Sequence, residues 1–441
     1  MKKRIIYTLF TLITLYPSTL DAQNKVNLSQ CIEVGLAKNY DIRIVRNEQQ
    51  ISTNNLSKGN AGLLPEVGLT SGYTGSLRNS RQNLLSGDVD KQSNIHNQDI
   101  DVGVNLNWTL FDGFKMQSTY NSLKELKLRG DLNARLTIEN FVADITSEYY
   151  NYVQQNTQFD NLRYAVKLSK ERLRIVEARY EIGSSSRLEM QQAKVDFNAD
   201  SSRLIKQQEV LFRSQVELNK LLSADDVEHL FTTQDSMIVF DALLGRDEIW
   251  GKTLSQNTLL HIAQSDTKLS QLDMKIAQSL NYPYLKINGG YGYNTGWRDA
   301  ASYDRQASWG ANYGVTVGFT LFDGNNRKRK IKNAKLEIEN AELSEQQLEL
   351  DIRSQFSNIW MAYQNNIQLV NLEKENLQTA EDNYEIAIDR YKLGDLSGIE
   401  LREAQNSLLG ANERLTQAQY NTKLCEISLL QISGQIMTYL H

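Results

Sequence analysis

Proline is almost missing from this chain. Its 441 residues contain three, Pro17, Pro65 and Pro283. Proline removes a backbone donor and clashes with the preceding helical turn, so its scarcity leaves room for very long uninterrupted helices. The abundance of Gln, Asn, Leu, Ala, Glu and Lys points the same way. Long apolar runs are missing too. Beyond the first 22 residues no stretch reaches about 18 consecutive apolar residues, which excludes a spanning helix there and leaves strands as the route into a membrane. The four histidines, His96, His229, His261 and His441, lack metal-ligand spacing, and no nucleophile or phosphate-loop motif is present. The expectation is therefore no enzyme, no catalytic residue, no metal and no cofactor. A net charge of −5 without basic clusters disfavours nucleic acid. The two cysteines, Cys31 and Cys425, lie near opposite ends. An exported pair could form a disulfide; the alternative is two buried small hydrophobes.

What is present begins with a leader. Lys2, Lys3 and Arg4 precede a short apolar core from Ile5 to Tyr16, the pattern of an export signal removed near Ala22.

The rest is an internal repeat. Thr109-Leu110-Phe111-Asp112-Gly113 recurs as Thr320-Leu321-Phe322-Asp323-Gly324, and Arg179-Tyr180-Glu181-Ile182-Gly183 as Arg390-Tyr391-Lys392-Leu393-Gly394, both at an offset of 211 residues. Leu64-Pro65 and Tyr282-Pro283 match at an offset of 218. The chain reads as a tandem duplication of roughly 24–225 and 245–436.

Within each half the hydrophobic period changes twice. Residues 28–62 carry helical spacing and stop at Pro65. Alternating segments follow: Ile100, Val102, Val104, Leu106, Trp108 and Leu110 oppose Asp101, Gly103, Asn105, Asn107 and Thr109, and residues 309–321 repeat the pattern. Segments 66–78 and 285–297 alternate as well. Period two with one apolar face and one small or polar face fits membrane barrel strands, with aromatics near their ends; a soluble sandwich is the alternative. After each Phe-Asp-Gly the spacing returns to threes, fours and sevens for about 69 residues, a coiled-coil seam. A short polar turn then leads to a returning helix, 187–223 or 398–432. The expected segments are a signal peptide 1–22, a first periplasmic helix 23–64, a β-hairpin 65–111, a long helical hairpin 112–225, an equatorial linker 226–250, a helix 251–282, a second β-hairpin 283–322, a second helical hairpin 323–436 and a tail 437–441. Connections 79–99 and 298–308 are expected as external loops.

Four strands per chain cannot close a barrel, and lipid does not tolerate open edges, so the subunit must oligomerise through its sheet. Two copies would fill their own interior; three, with twelve strands, are the smallest number to leave a wet lumen.

Through the duplicated strand–strand–long-helix unit, the paired Leu-Phe-Asp-Gly phrases and the paired Arg-Tyr-x-x-Gly turns, the chain resembles the TolC-like outer-membrane efflux proteins over nearly its whole length. The resemblance implies a mainly α fold with membrane β: a homotrimer with a twelve-strand β-barrel in the outer membrane, continued by a twelve-helix α-helical barrel across the periplasm. It implies a passive exit duct for efflux or type I secretion, in outer-membrane lipid and docked to a periplasmic adaptor and an inner-membrane RND, ABC or MFS pump. A stand-alone diffusion pore and a soluble coiled-coil scaffold are the competing readings; the first leaves the long helices unexplained, the second the strands.

The resemblance also assigns residues. The hairpin tips, Arg179 to Glu189 and Arg390 to Glu400, would close the tube and meet the adaptor, with Arg179, Gly183, Ser184, Ser185, Arg390, Gly394, Leu396 and Ser397 as contacts. Glu400 and Glu403 stand where family members carry paired aspartates, so three copies would ring the aperture with carboxylates, favouring cations and raising some of their pKa values by mutual repulsion. The alternative is a solvated helix face. A gate tether would join Tyr391 to Glu189, and Arg187 would substitute for an arginine whose place is taken by Leu396.

Overall fold

The computed structural model describes residues 25–299 and 302–440. The expected leader 1–22 lies outside them.

Each half starts with a helix broken in two. Strand β1 (Lys25–Val26) leads into α1 (Leu28–Lys38) and α2 (Tyr40–Asn55). The spacing over 28–62 suggested one helix, but Asn39 turns the chain with φ −56° and ψ 132°. Its Oδ1 accepts from the backbone N–H of Asp41 (2.9 Å) and Ile42 (3.3 Å), so the side chain starts a new helix. The segment after Asn55 is turn up to the strand at Glu66.

Strands β2 (Glu66–Asn83) and β3 (Val89–Phe111) form the first β-hairpin, and α3 (Lys115–Glu181) and α4 (Arg187–Leu221) the first helical hairpin. A linker carries β4 (Thr232–Thr233), which pairs in parallel with β1. Then come α5 (Arg246–Gln256), α6 (Thr258–Ser279), β5 (Tyr284–Arg298), β6 (Arg305–Gly318), α7 (Asn326–Leu393), α8 (Gly398–Ile432) and a 3₁₀ turn at Ile436–Leu440. Helix α5 begins inside the stretch assigned to the linker. The 3₁₀ turn takes in most of the expected tail 437–441 and packs against the body of the chain: Ile436 is fully buried, and the Tyr439 hydroxyl donates to Glu426 Oε1 at 2.8 Å.

The four strands form one antiparallel sheet in the order β2-β3-β5-β6, leaving β2 and β6 as edges. Its register explains the alternation. Leu69, Val104, Tyr291 and Ala311 stand side by side as one apolar row, and Thr70, Gly103, Gly292 and Gly310 as the adjacent small row. The apolar row is uncovered within the chain: Leu69 is 75% and Tyr291 60% exposed. The expected loop 79–99 is mostly strand, because the pairing resumes past a bulge at Arg78/Ser80 and runs on to Asn83↔Val89. Its counterpart is short, between Arg298 and Arg305. Strand β6 ends at Gly318, so Phe319–Phe322 lie outside it, whereas Phe111 still belongs to β3.

Phe-Asp-Gly is the joint from strand to helix. Asp112 Oδ1 accepts from Met116 N–H at 3.1 Å and Asp323 Oδ2 from Arg327 N–H at 2.8 Å, so each aspartate caps the helix that follows. Glycine is required at Gly113 on two counts: φ is +73°, and a Cβ would sit 2.3 Å from the Ser279 carbonyl oxygen. Below the joints, α3 has 67 residues and α7 has 68, each about 100 Å at 1.5 Å per residue.

The apolar cores lie at mid-height. One gathers Cys31, Ile32, Phe141, Ile145, Tyr149 and Leu218; the other gathers Ile352, Phe356, Trp360 and Tyr363. Tyr152 and Tyr363, equivalent in the repeat, hold the two ends of the linker: Tyr152 Oη donates to the Phe231 carbonyl at 3.0 Å and Tyr363 Oη to that of Asp241. Cys31 and Cys425 are free thiols beside different cores, which settles their pairing in favour of small hydrophobes. Burial pushes the Cys31 thiol up to about 12.

Candidate entrance site at the hairpin tips

The two tips, at the ends of the hairpins remote from the sheet, are built by the same rules. Gly183 (φ +77°) and Gly394 (φ +89°) take the left-handed conformation that ends α3 and α7. Ser184 N–H donates to the Arg179 carbonyl at 2.8 Å and Asp395 N–H to that of Arg390 at 3.0 Å, closing the turn that satisfies the last helical carbonyls. Each return helix then starts on a serine: Ser186 Oγ accepts from Glu189 N–H at 3.1 Å, and Ser397 Oγ from Glu400 N–H at 3.2 Å.

Glu189 and Glu400 are thus repeat equivalents, used differently. Glu400 Oε2 accepts from Ser397 N–H (3.0 Å) and Ser397 Oγ (2.8 Å), completing a capping box. Those hydrogen bonds hold its carboxyl below the usual glutamate range. Within one chain the shift therefore runs opposite to the repulsion expected of a ring. Glu403 is exposed and lines a groove of about 1030 Å³ between the tips. Glu189 accepts from Ser185 Oγ at 2.7 Å.

The tips are joined by Arg179. Its guanidinium donates to the backbone carbonyls of Tyr391 (2.9 Å) and Lys392 (3.3 Å) and lies over the Tyr391 ring at 4.8 Å. Tyr391 is fully buried, yet its hydroxyl has no protein partner in the structure. Burial, and after it the Glu189 charge, push that hydroxyl up. The structure therefore brings Tyr391 and Glu189 together without the expected tether bond; Glu189 bonds Ser185 and the link is made by Arg179 instead. Arg187 opens α4 and takes part in no ion pair or side-chain hydrogen bond among the described residues. Leu396 packs beside the apolar cluster of Val176, Ala193, Ala387, Tyr391 and Leu401.

Just behind the tips lie charged groups that sequence reasoning missed. Asp200, 1% exposed, accepts two hydrogen bonds from Arg402 (2.6 and 2.7 Å) and one from Ser169 Oγ (2.7 Å), tying α4, α8 and α3 together. Arg172 pairs with Asp196 while its Nε and Nη1 remain buried without protein partners. A signal was available: Met190, Ala193, Phe197, Asp200 and Leu204 follow the coiled-coil spacing, and an aspartate in that seam is out of place unless paired.

Comparison with known sequences settles the class. The family described as "Outer membrane efflux protein" matches residues 32–224 and, separately, 250–435, one match for each half. The chain belongs to the outer membrane efflux protein family. It is similar to the outer membrane protein TolC of Vibrio cholerae serotype O1, with 19% identity over 86% of this chain and 84% of that one. Nodulation protein T of Rhizobium leguminosarum bv. trifolii is also 19% identical, over 90% of this chain and 83% of the relative. Among solved structures, the Campylobacter jejuni CmeC outer membrane channel superposes with a TM-score of 0.77 at 17% identity, covering 99% of this chain and 94% of that one. VceC of Vibrio cholerae gives 0.76 at 16%, covering 92% and 96%. As a member of this family the protein is an outer-membrane efflux channel whose helices extend into the periplasm, in a family of transport proteins rather than enzymes.

Proposed function

We propose that three copies of this chain close their sheets edge to edge into a twelve-strand barrel and stack their helical hairpins into a twelve-helix tube. The observation that carries the reading is the pair of unpaired edges, β2 and β6, on a sheet whose apolar side chains are uncovered. Backbone groups at such edges must be paired in lipid, and only a neighbouring copy offers matching strands.

The homotrimer would serve as the passive exit duct of a tripartite assembly, docked at its tips to a periplasmic adaptor and through it to an inner-membrane RND, ABC or MFS pump. Exposed groups at the tips, among them Ser184, Gly394 and Asp395, suit that docking. Glu400 and Glu403, exposed and three residues apart on α8, would ring the aperture, with Glu400 also serving as its own helix cap. Arg179 on Tyr391 would be the intra-chain tie between the two hairpins. Planar-bilayer recordings test this: the reconstituted protein is expected to conduct with cation preference, and Glu400→Gln with Glu403→Gln to lower that preference. Unchanged selectivity would refute the ring, and absence of any conductance would refute the duct.

A further inference from the structure

The acidic average of the chain conceals one strongly basic stretch, at odds with the expectation that no basic cluster exists. From its second residue helix α7 carries Arg327, Lys328, Arg329, Lys330, Lys332 and Lys335, and no acidic residue occurs until Glu337. Arg327 is accounted for: it sits against its own chain, near Asp323 and the carbonyls of Leu280 and Leu321. The other five are exposed, and none forms an ion pair among the described residues.

This is the wrong end of a helix for cations. The N-terminus carries the positive end of the macrodipole, so Lys328, Arg329 and Lys330, in the opening turn, are repelled there. The repeat supplies an internal control. At the matching positions α3 has Gln117, Ser118, Thr119, Asn121 and Lys124, and it forms the same joint and a helix of nearly the same length. Folding the joint therefore does not call for the cations. Lys115, the first residue of α3, is exposed and stands alone among the described residues; the next cations of that helix are partnered: Lys124 over the Tyr120 ring at 4.9 Å, Lys127 with Asp131 at 2.6 Å, Arg129 with Asp266 at 3.2 Å.

The position of the cluster points to its partner. All four connections between sheet and helices leave the same end of the sheet, and the basic stretch starts within a few residues of Phe322 there. Immediately before it, Phe319, Leu321 and Phe322 are exposed. Exposed aromatic and apolar groups followed by lysines and arginines is the order expected where a chain leaves hydrocarbon and passes the headgroups. From Lys328 to Lys335 the helix rises about 10 Å, comparable with the thickness of one headgroup layer. Around the helix the five cations cover roughly 220° at 100° per residue, too wide an arc for a single neighbouring helix to pair them all.

We infer that Lys328, Arg329, Lys330, Lys332 and Lys335 form a collar that binds the anionic phospholipid headgroups of the periplasmic leaflet around the foot of the barrel. The inference rests on the membrane placement of the sheet. Its test uses the full chain inserted into phosphatidylethanolamine vesicles holding either one part in five phosphatidylglycerol or the same amount of phosphatidylcholine. Lipid retained after gentle detergent extraction is then counted by mass spectrometry. The wild type is expected to retain phosphatidylglycerol about twofold over its share, an excess that falls toward one at about 0.5 M salt. It is also expected to vanish in the variant Lys328→Gln, Arg329→Gln, Lys330→Gln, Lys332→Gln, Lys335→Gln. An excess that persists in that variant, or that salt does not touch, overturns the proposal. So does a variant that loses only its subunit assembly while the wild type shows no lipid excess, since the cations would then serve a protein contact. Should the variant fail to fold, the salt dependence of the wild type decides. Insertion without lipid preference overturns the collar alone; failure of the wild type to insert overturns the membrane reading with it.

Discussion

The two halves of this chain solve the same folding problem with different residues, and the differences mark what each half does beyond folding. Their shared features are those that local physics demands: an aspartate to start each long helix, a left-handed glycine to end it, a serine to start the return. An asparagine joins stacked helices in each half. Asn39 Nδ2 donates to the Leu221 carbonyl at 3.1 Å, and Asn257 Nδ2 to that of Ile432 at 2.8 Å, so both side chains cap the end of one helix and the start of the next. The differences lie elsewhere. The first hairpin has strands of 18 and 23 residues against 15 and 14 in the second. The first half contributes the buried Asp200 and the second its partner Arg402, positions where the repeat equivalents are Ala411 and Gln191. Only the second half opens its long helix on a run of cations.

The largest expected departure from symmetry concerns that buried pair. Arg402→Met leaves the Asp200 charge buried with only Ser169 to satisfy it, and should destabilise the packing behind the tips by about 3 kcal/mol. Hydrogen exchange in α4 and α8 would report the loss, whereas Gln191→Met in the equivalent place should leave exchange unchanged. Adding Asp200→Asn to the Arg402 variant is expected to recover most of the protection. Where the halves agree, the effects should agree. Asn39→Ala and Asn257→Ala should each cost about 1 to 2 kcal/mol, measured as the same rise in local exchange at the two junctions. A large difference between them would show that one junction has a further role. Gly183→Ala and Gly394→Ala should each cost about 1 kcal/mol, because the penalty is the left-handed backbone and no atom lies within 4 Å of either added Cβ. The smallest effect is a pH dependence confined to the second tip. Hydrogen bonds from Ser397 depress the Glu400 pKa in the folded chain, so the contribution of the charged cap is present above its unfolded value, near 4.5, and is lost as pH falls through the lower folded value. The first turn of α8 is expected to fray in mild acid, and Glu400→Gln to remove that pH dependence.

How much of this was legible in the sequence depends on the range of the interaction. The Asp112 and Asp323 caps, the Gly183 and Gly394 turns and the strand alternation are all set within a few residues, and they stood out as repeated phrases. Asn39 was missed because the apolar spacing of 28–62 continues through it; its local cap on Asp41 and Ile42 is joined by a bond to the carbonyl of Leu221, distant in sequence. The strands beyond Arg78 were missed because pairing across the bulge, rather than alternation, sustains them. At the tips, Tyr391 and Glu189 were found by resemblance, but the grip of Arg179 on the Tyr391 carbonyl depends on two helices meeting from halves about 200 residues apart. Asp200 and Arg402 belong to the same class: the misplaced aspartate was visible in the seam, its partner was not. The cations of α7 were lost in the acidic average of the chain.

A single chain holds an incomplete sheet. Two copies of one unit give four strands with two bare edges, which in the proposed trimer other copies cover. Native mass spectrometry of the complex extracted from outer membranes in mild detergent tests this most directly. One dominant species of three chains, stable to dilution, is expected; a stable single chain, or a complex of two, would contradict the proposed closure of the sheet.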